Sequence, residues 1–237
     1  MYQIKYLTGR YDTLAQEINE ICSAHVLTLD VDEESRFSYN GADVQDGKLR
    51  MLFNDQYLGT NTNDALNESN LFKALNNAPS DKPISFSTRL GIRGDYEPAI
   101  GATQKKLAEM LGKPEADIKI NPNFEETFAK LTEAKKSKAA DLRDDWESAL
   151  GSYTLKYFEG LAYQMNYQKV GEDDLIQEGF LEAVPSLEFH FRIVDALKHG
   201  SGYGEVDIEG EKLYIQTTVD KWGYNIDYVA EKLIDRL

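Results

Sequence analysis

Two short runs of this 237-residue chain carry residues whose type and spacing could do chemistry. The first is Val26-Leu-Thr-Leu-Asp30-Val-Asp32. Its apolar, partly β-branched stretch reads as a strand. Residues two apart on a strand share a face, so Asp30 and Asp32 become a pair of carboxylates at a sheet edge. Such pairs hold Mg²⁺ and a nucleophile in phosphoryl-transfer enzymes, which makes these two the candidate catalytic residues. The second run is Leu187 to Ile193, where Glu188, His190 and Arg192 alternate with apolar residues. Period-two alternation puts the three polar side chains on one face of one strand. A carboxylate beside a histidine suits general acid–base work or polar ligand binding. Asp207, Glu209, Tyr214 and Gln216 of a following hairpin are expected on the same side. Tyr157 belongs to a tyrosine-rich helical run, and a helix roofing this face would turn it into a pocket. The candidate ligand-binding set is therefore Glu188, His190, Arg192, Tyr214 and Tyr157.

The Asp30-x-Asp32 strand end resembles the first motif of haloacid-dehalogenase-like phosphatases. That resemblance implies a Mg²⁺-dependent phosphohydrolase, with Ser87-Thr88 and Glu172-Asp173-Asp174 in the place of the later motifs. Glu33 and Glu34 depart from the family pattern, which has a small residue and then Thr or Val after the second Asp. The flanking hairpins also depart from a parallel, doubly wound sheet. As an EF-hand the stretch fails, because Ser35 occupies the glycine position and Gly41 the place of the bidentate Glu. His199-Gly-Ser-Gly-Tyr-Gly204 precedes a strand, so it reads as a connection instead of a phosphate loop. No G-x-S-x-G, Walker or H-E-x-x-H motif occurs, and the sequence calls for no metal and no cofactor. Cys22, the only cysteine, follows Leu14, Ile18 and Ile21 at helical spacing and reads as a core residue.

A net charge of −15 repels phosphate backbones and anionic lipid surfaces, which argues against nucleic acid and membrane as partners. Lys135, Lys136 and Lys138 form the best candidate basic patch, and Glu133 and Asp141 flank it. The first residues lack the apolar run of a signal peptide, and no stretch approaches membrane-spanning length. With a single cysteine, a soluble cytoplasmic protein is expected.

Around these residues the pattern predicts the α+β class, with a mostly antiparallel sheet, β-hairpins at both ends of the chain and a long helical middle segment packed on it. Tyr2, Ile4 and Tyr6 alternate as in a strand, and Asp12 or Thr13 can cap a helix running to about residue 23. Val26–Val31, Arg36–Tyr39 and Ile84–Ile92 read as strands, and Asp46-Gly47 as a hairpin turn. Pro98 and Gly112 bracket a helix, Ile118 and Ile120 mark a short strand, and Asn123 to Glu126 fits a capping box. Leu142, Trp146, Ala149, Tyr153, Tyr157, Leu161 and Met165 follow at helical steps, on one helix or on two broken at Gly151-Ser152. Glu209-Gly210 signals a second hairpin, and Ile226–Leu237 a terminal helix.

One globular domain over 1–237 is the expectation. Tyr39, Asp43, Lys48, Leu49, Gly59 and Asn61 recur at constant offset as Tyr203, Asp207, Lys212, Leu213, Gly223 and Asn225. That recurrence suggests pseudo-duplicated halves, about 1–95 and 185–237, joined by helical segment 96–184. The leading functional expectation is a binding or interaction protein that presents its mixed polar sheet face to a small molecule or a protein. The alternatives are the Asp30/Asp32 phosphohydrolase and an oligomeric structural protein, such as a homodimer formed through the 142–165 helix face.

Overall fold

Two strand pairs, each closed by two residues of positive φ, organise the chain. Asp46 (φ 51°) and Gly47 (φ 69°) join β2 (Asn40–Gln45) to β3 (Lys48–Phe53). Gly210 (φ 57°) and Glu211 (φ 66°) join β6 (Gly204–Glu209) to β7 (Lys212–Thr217). Consecutive positive φ values match the right-handed twist of the flanking strands. The turn lies one residue beyond the Glu209-Gly210 signal. The computed structural model describes residues 2–10 and 13–237. It is mixed α/β, and it divides into two compact units, 1–90 and 91–237.

In the first unit, α1 (Tyr2–Arg10), α2 (Leu14–Ile21) and α3 (Glu68–Asn76) accompany a three-stranded sheet ordered β1-β3-β2, with β1 at Leu27–Val31. In the second, α5 (Ile100–Leu111), α6 (Phe124–Ser137), α7 (Trp146–Tyr167) and α8 (Asp174–Ala183) accompany a sheet ordered β4-β5-β7-β6. There β4 is Lys119–Asn121 and β5 is Glu188–Ile193. Between the two sets, α4 spans Phe86–Gly91.

Both sheets are mixed, which corrects the expectation of a mostly antiparallel sheet. The β2–β3 and β6–β7 pairs run antiparallel, whereas β1–β3, β4–β5 and β5–β7 run parallel. For β1–β3 and β5–β7 the cause is topological. A strand joined to the far member of an antiparallel pair meets the near member after two reversals, and so in parallel.

Five local expectations also change. The segment from Tyr2 is α1, with Leu7 buried and Tyr6 exposed. Thr13 stands at the N-cap of α2 without a side-chain bond, and Asp12 lies outside the described residues. Ile84–Ile92 is largely helical: the Ser85 hydroxyl accepts from Thr88 N at 3.3 Å and starts α4. Arg89 of α4 then meets Glu17 of α2, buried, at 2.8–2.9 Å. Arg36–Tyr39 is loop. Ile226–Leu237 forms two short 3₁₀ turns, with i to i+3 bonds such as Val229 N to Ile226 O, in place of an α-helix.

α7 runs unbroken through Gly151. A Cβ there would sit 2.6 Å from Gly91 O, so glycine permits the close approach of the two backbones. Tyr157, Phe158, Leu161 and Met165 of α7 are fully buried in the second unit with Phe180, Phe189 and Phe191. The Tyr157 and Phe191 rings meet at a tilt, 4.6 Å apart, and Phe180 stacks on Phe189 at 6.3 Å. Each such ring stabilises the fold by about 1.5–3 kcal/mol through burial. The 142–165 stripe is thus largely core, with Leu142 and Trp146 6% and 5% exposed and Ala149 and Tyr153 half-buried.

Candidate functional site

The apolar side of β5 faces this core, so its polar side carries Glu188, His190 and Arg192 together, as the alternation requires. Register brings β7 alongside, pairing His190 with Tyr214 and Arg192 with Gln216. On β7's other flank, β6 places Asp207 beside Tyr214 and Glu205 beside Gln216. β4 pairs Lys119 with Glu188. Four of the five expected ligand-binding residues therefore share one face. Tyr157 does not join them. It lies on the opposite side of the sheet, where its hydroxyl accepts from Gly223 N at 3.0 Å, and burial pushes it up to about 12. Likewise α7, the helix expected as its roof, lies on the apolar side.

The polar face is a network of mutually engaged charges. Glu188 accepts from Lys212 at 2.7 Å and Lys119 at 3.1 Å, and lies 3.3 Å from His190 Nε2. Lys212, Lys119 and His190, in that order, hold its carboxyl down at about 2. Arg192 donates to Gln216, Glu209 and Asp207 at 2.9–3.1 Å and stacks 4.0 Å from the Tyr214 ring, on which His190 also stacks. Asp207 receives in addition Lys198 at 2.6 Å and His199 at 3.1 Å. Burial works against its ionisation, but Lys198 and His199 prevail and keep the carboxyl below its usual range. Glu205, 5% exposed, accepts from Gln216 Nε2 and from the backbone N–H groups of Lys198 and His199, which ties down the loop before β6.

Sequence reasoning missed Lys119, Lys198, His199, Glu205 and Lys212. Glu205 was legible in principle, since it continues the period-two series of Asp207 and Glu209. Lys119, Lys198 and His199 arrive from other segments, and no local spacing announces them.

Asp30 and Asp32 have different tasks. Asp32 is buried and folds the loop behind it, accepting from Phe37 N at 2.8 Å and Arg36 Nε at 3.2 Å. Asp30 accepts from Thr28 Oγ1 at 2.7 Å. Among the described residues, no three His, Cys, Asp or Glu side chains converge as a metal site requires. Asp173, in the third stretch of the phosphatase resemblance, caps α8 by accepting from Leu175 N and Ile176 N. Thr88 is buried in α4. Burial raises the Cys22 thiol to about 11, the reverse of what a nucleophile needs.

Three exposed tyrosines gather elsewhere. Tyr163, Tyr167 and Tyr228, with Glu159, Asp227 and Glu231, line an open groove of about 760 Å³ along α7. No helix among the described residues is long and apolar enough to cross a membrane. No family model, curated protein or solved structure matches the chain.

Proposed function

We propose that this chain is a non-catalytic binding protein whose polar face on β5, β6 and β7 docks a protein partner. The observation that carries this reading is the state of Glu188, His190, Arg192 and Tyr214. Each is engaged by a neighbour through an ion pair, a hydrogen bond or a ring contact, and together they make a chemically patterned surface. Preorganised charge of this kind favours specific recognition of a complementary surface over chemistry on a small substrate. The heads of Lys119, Lys198 and Glu209, each more than half exposed, are available at its rim. A soluble, cytoplasmic setting fits the net charge and the single cysteine.

The test uses the full chain as bait, beside the triple variant Glu188→Ala, His190→Ala, Arg192→Ala, in extracts of the source cells. Proteins retained by the native chain and lost with the variant are expected. Identical sets retained by both would sink the sheet-face reading.

A further inference from the structure

The two sheets share one plan down to individual residues. β2 and β3 recur as β6 and β7 at an offset of 164 residues, Asn40 to Gly204 and Lys48 to Lys212. Beyond them Gly59 (φ 87°) recurs as Gly223 (φ 86°), and left-handed Asn61 as left-handed Asn225, each opening a 3₁₀ turn. In both sheets a further strand lies parallel to the second member of the pair. Leu29 faces Met51 as Phe191 faces Ile215, and Asp32 N bonds Phe53 O as Val194 N bonds Thr217 O, both at 2.8 Å. β1 is therefore the counterpart of β5.

The counterparts differ in what covers their outer edge. In a parallel ladder alternate residues direct their N–H and C=O groups to the same neighbour. On β5 the outward carbonyls are taken by one segment of chain. Lys119 N of β4 bonds Leu187 O at 3.0 Å, Asn123 Nδ2 bonds Phe191 O at 2.6 Å, and Lys130 Nζ bonds Ile193 O at 2.6 Å. α6, which follows β4 and carries Lys130, flanks the same strand, and Phe189, Phe191 and Ile193 are at most 2% exposed.

On β1 the outward groups belong to Leu27, Leu29 and Val31, because Val26 O and Asp32 N already face β3. β1 is an edge strand, and no described residue pairs with that side. Its burial is inverted: Leu27, Leu29 and Val31 are 41%, 64% and 44% exposed, while Thr28 and Asp30 are half-buried. An open edge with apolar side chains is a template for an added strand.

We propose that β1 is a docking edge for an extended, lysine- or arginine-bearing segment of another protein, added in parallel where β4 lies on β5. The chemistry of the occupant follows from both sheets. On β5 the occupant supplies N–H donors and a lysine. On β1 the flanking charges are Asp30, Asp32, Glu33 and Glu34 against Arg36, 3.5 Å from Glu34, and Arg50, across from Thr28, so the acids outnumber the bases and the exposed Glu33 and Glu34 lie at the strand's end. A second copy of this chain would set this excess of carboxylates against its own kind, and like charges opposite one another destabilise a cross-strand pair. A basic strand with apolar residues at alternate positions meets both the apolar row and the charge.

The probe is a labelled synthetic peptide alternating lysine with isoleucine, titrated into the full-length chain and read by anisotropy and by backbone amide shifts. Saturable binding is expected, with shifts centred on Leu27, Leu29 and Val31. Leu29→Lys should weaken it at least tenfold without altering thermal unfolding, since Leu29 is the most exposed residue of the strand. A peptide with glutamate in place of lysine should not bind. Absence of binding at millimolar peptide, binding indifferent to Leu29→Lys, or equal binding of the glutamate peptide would each overturn the proposal. So would a dimer of the native chain that Leu29→Lys dissolves, because it would make a second copy the occupant. This edge is independent of the polar face, so the triple variant should bind the peptide normally.

Discussion

Leu29 and Phe191 stand at the same place in two like-built sheets, and their surroundings are opposite. Phe191 is sealed between Tyr157 and the strands beside it, whereas Leu29 faces outward from an unpaired edge. The polar sides agree more closely. Asp43 gathers Arg36 and Arg50 at 2.7–2.9 Å, and its counterpart Asp207 gathers Arg192, Lys198 and His199. In both, burial opposes ionisation, the cations prevail, and the carboxyl lies below its usual range. One carboxylate collecting cations is thus common to the two sheets, while the covering of the apolar side is not. The difference teaches that strand-level patterning alone cannot tell a core strand from a docking edge. The neighbouring segment decides.

The largest expected effect breaks the symmetry outright. Phe191→Ala should cost about 3–5 kcal/mol in urea unfolding, as truncation of a buried ring does. Leu29→Ala should stay within about 0.5 kcal/mol. Both tryptophans, Trp146 and Trp222, lie in the second unit, so their fluorescence follows that unit and circular dichroism follows both. Equal losses would show that β1 is covered like β5.

A smaller effect sharpens the comparison through pH. Glu188 has a folded-state carboxyl at about 2 against an ordinary 4.5. A depressed carboxyl stabilises fully above its unfolded value and loses that contribution as pH falls to its folded one. Glu188→Gln should therefore lower the stability of the second unit slightly at neutral pH, and the two stability curves should converge between about 4.5 and 2. The first unit has Val26 in the corresponding place, one residue before β1, and lacks this acid-sensitive pair. A constant gap between the curves at all pH values would remove the ion pair as its cause.

Much of this was legible in the sequence. Alternation placed Glu188, His190 and Arg192 on one face, and Asp46-Gly47 and Glu209-Gly210 marked the two turns to within a residue. The recurrence of Tyr39 to Asn61 at Tyr203 to Asn225 pointed to the shared plan. Other features were hidden by longer-range causes. The Tyr2–Tyr6 alternation and the apolar run before Ile92 suit strand and helix alike over so few residues, and tertiary packing chose helix. Asn123 looked like a helix cap, but its side chain reaches across to Phe191 O, a contact 68 residues away. Asp30 and Asp32 looked like a catalytic pair because sequence shows carboxylates but not the Arg36 and Phe37 groups that claim one of them.

Amide hydrogen exchange of the full-length chain tests the central contrast most directly. Leu27, Leu29 and Val31 direct their amides outward from β1, and Phe189 directs its amide to β4. Fast exchange at Leu27, Leu29 and Val31, with strong protection at Phe189, is the predicted result. Protection at Leu29 as strong as at Phe189 would contradict an open first sheet beside a closed second one.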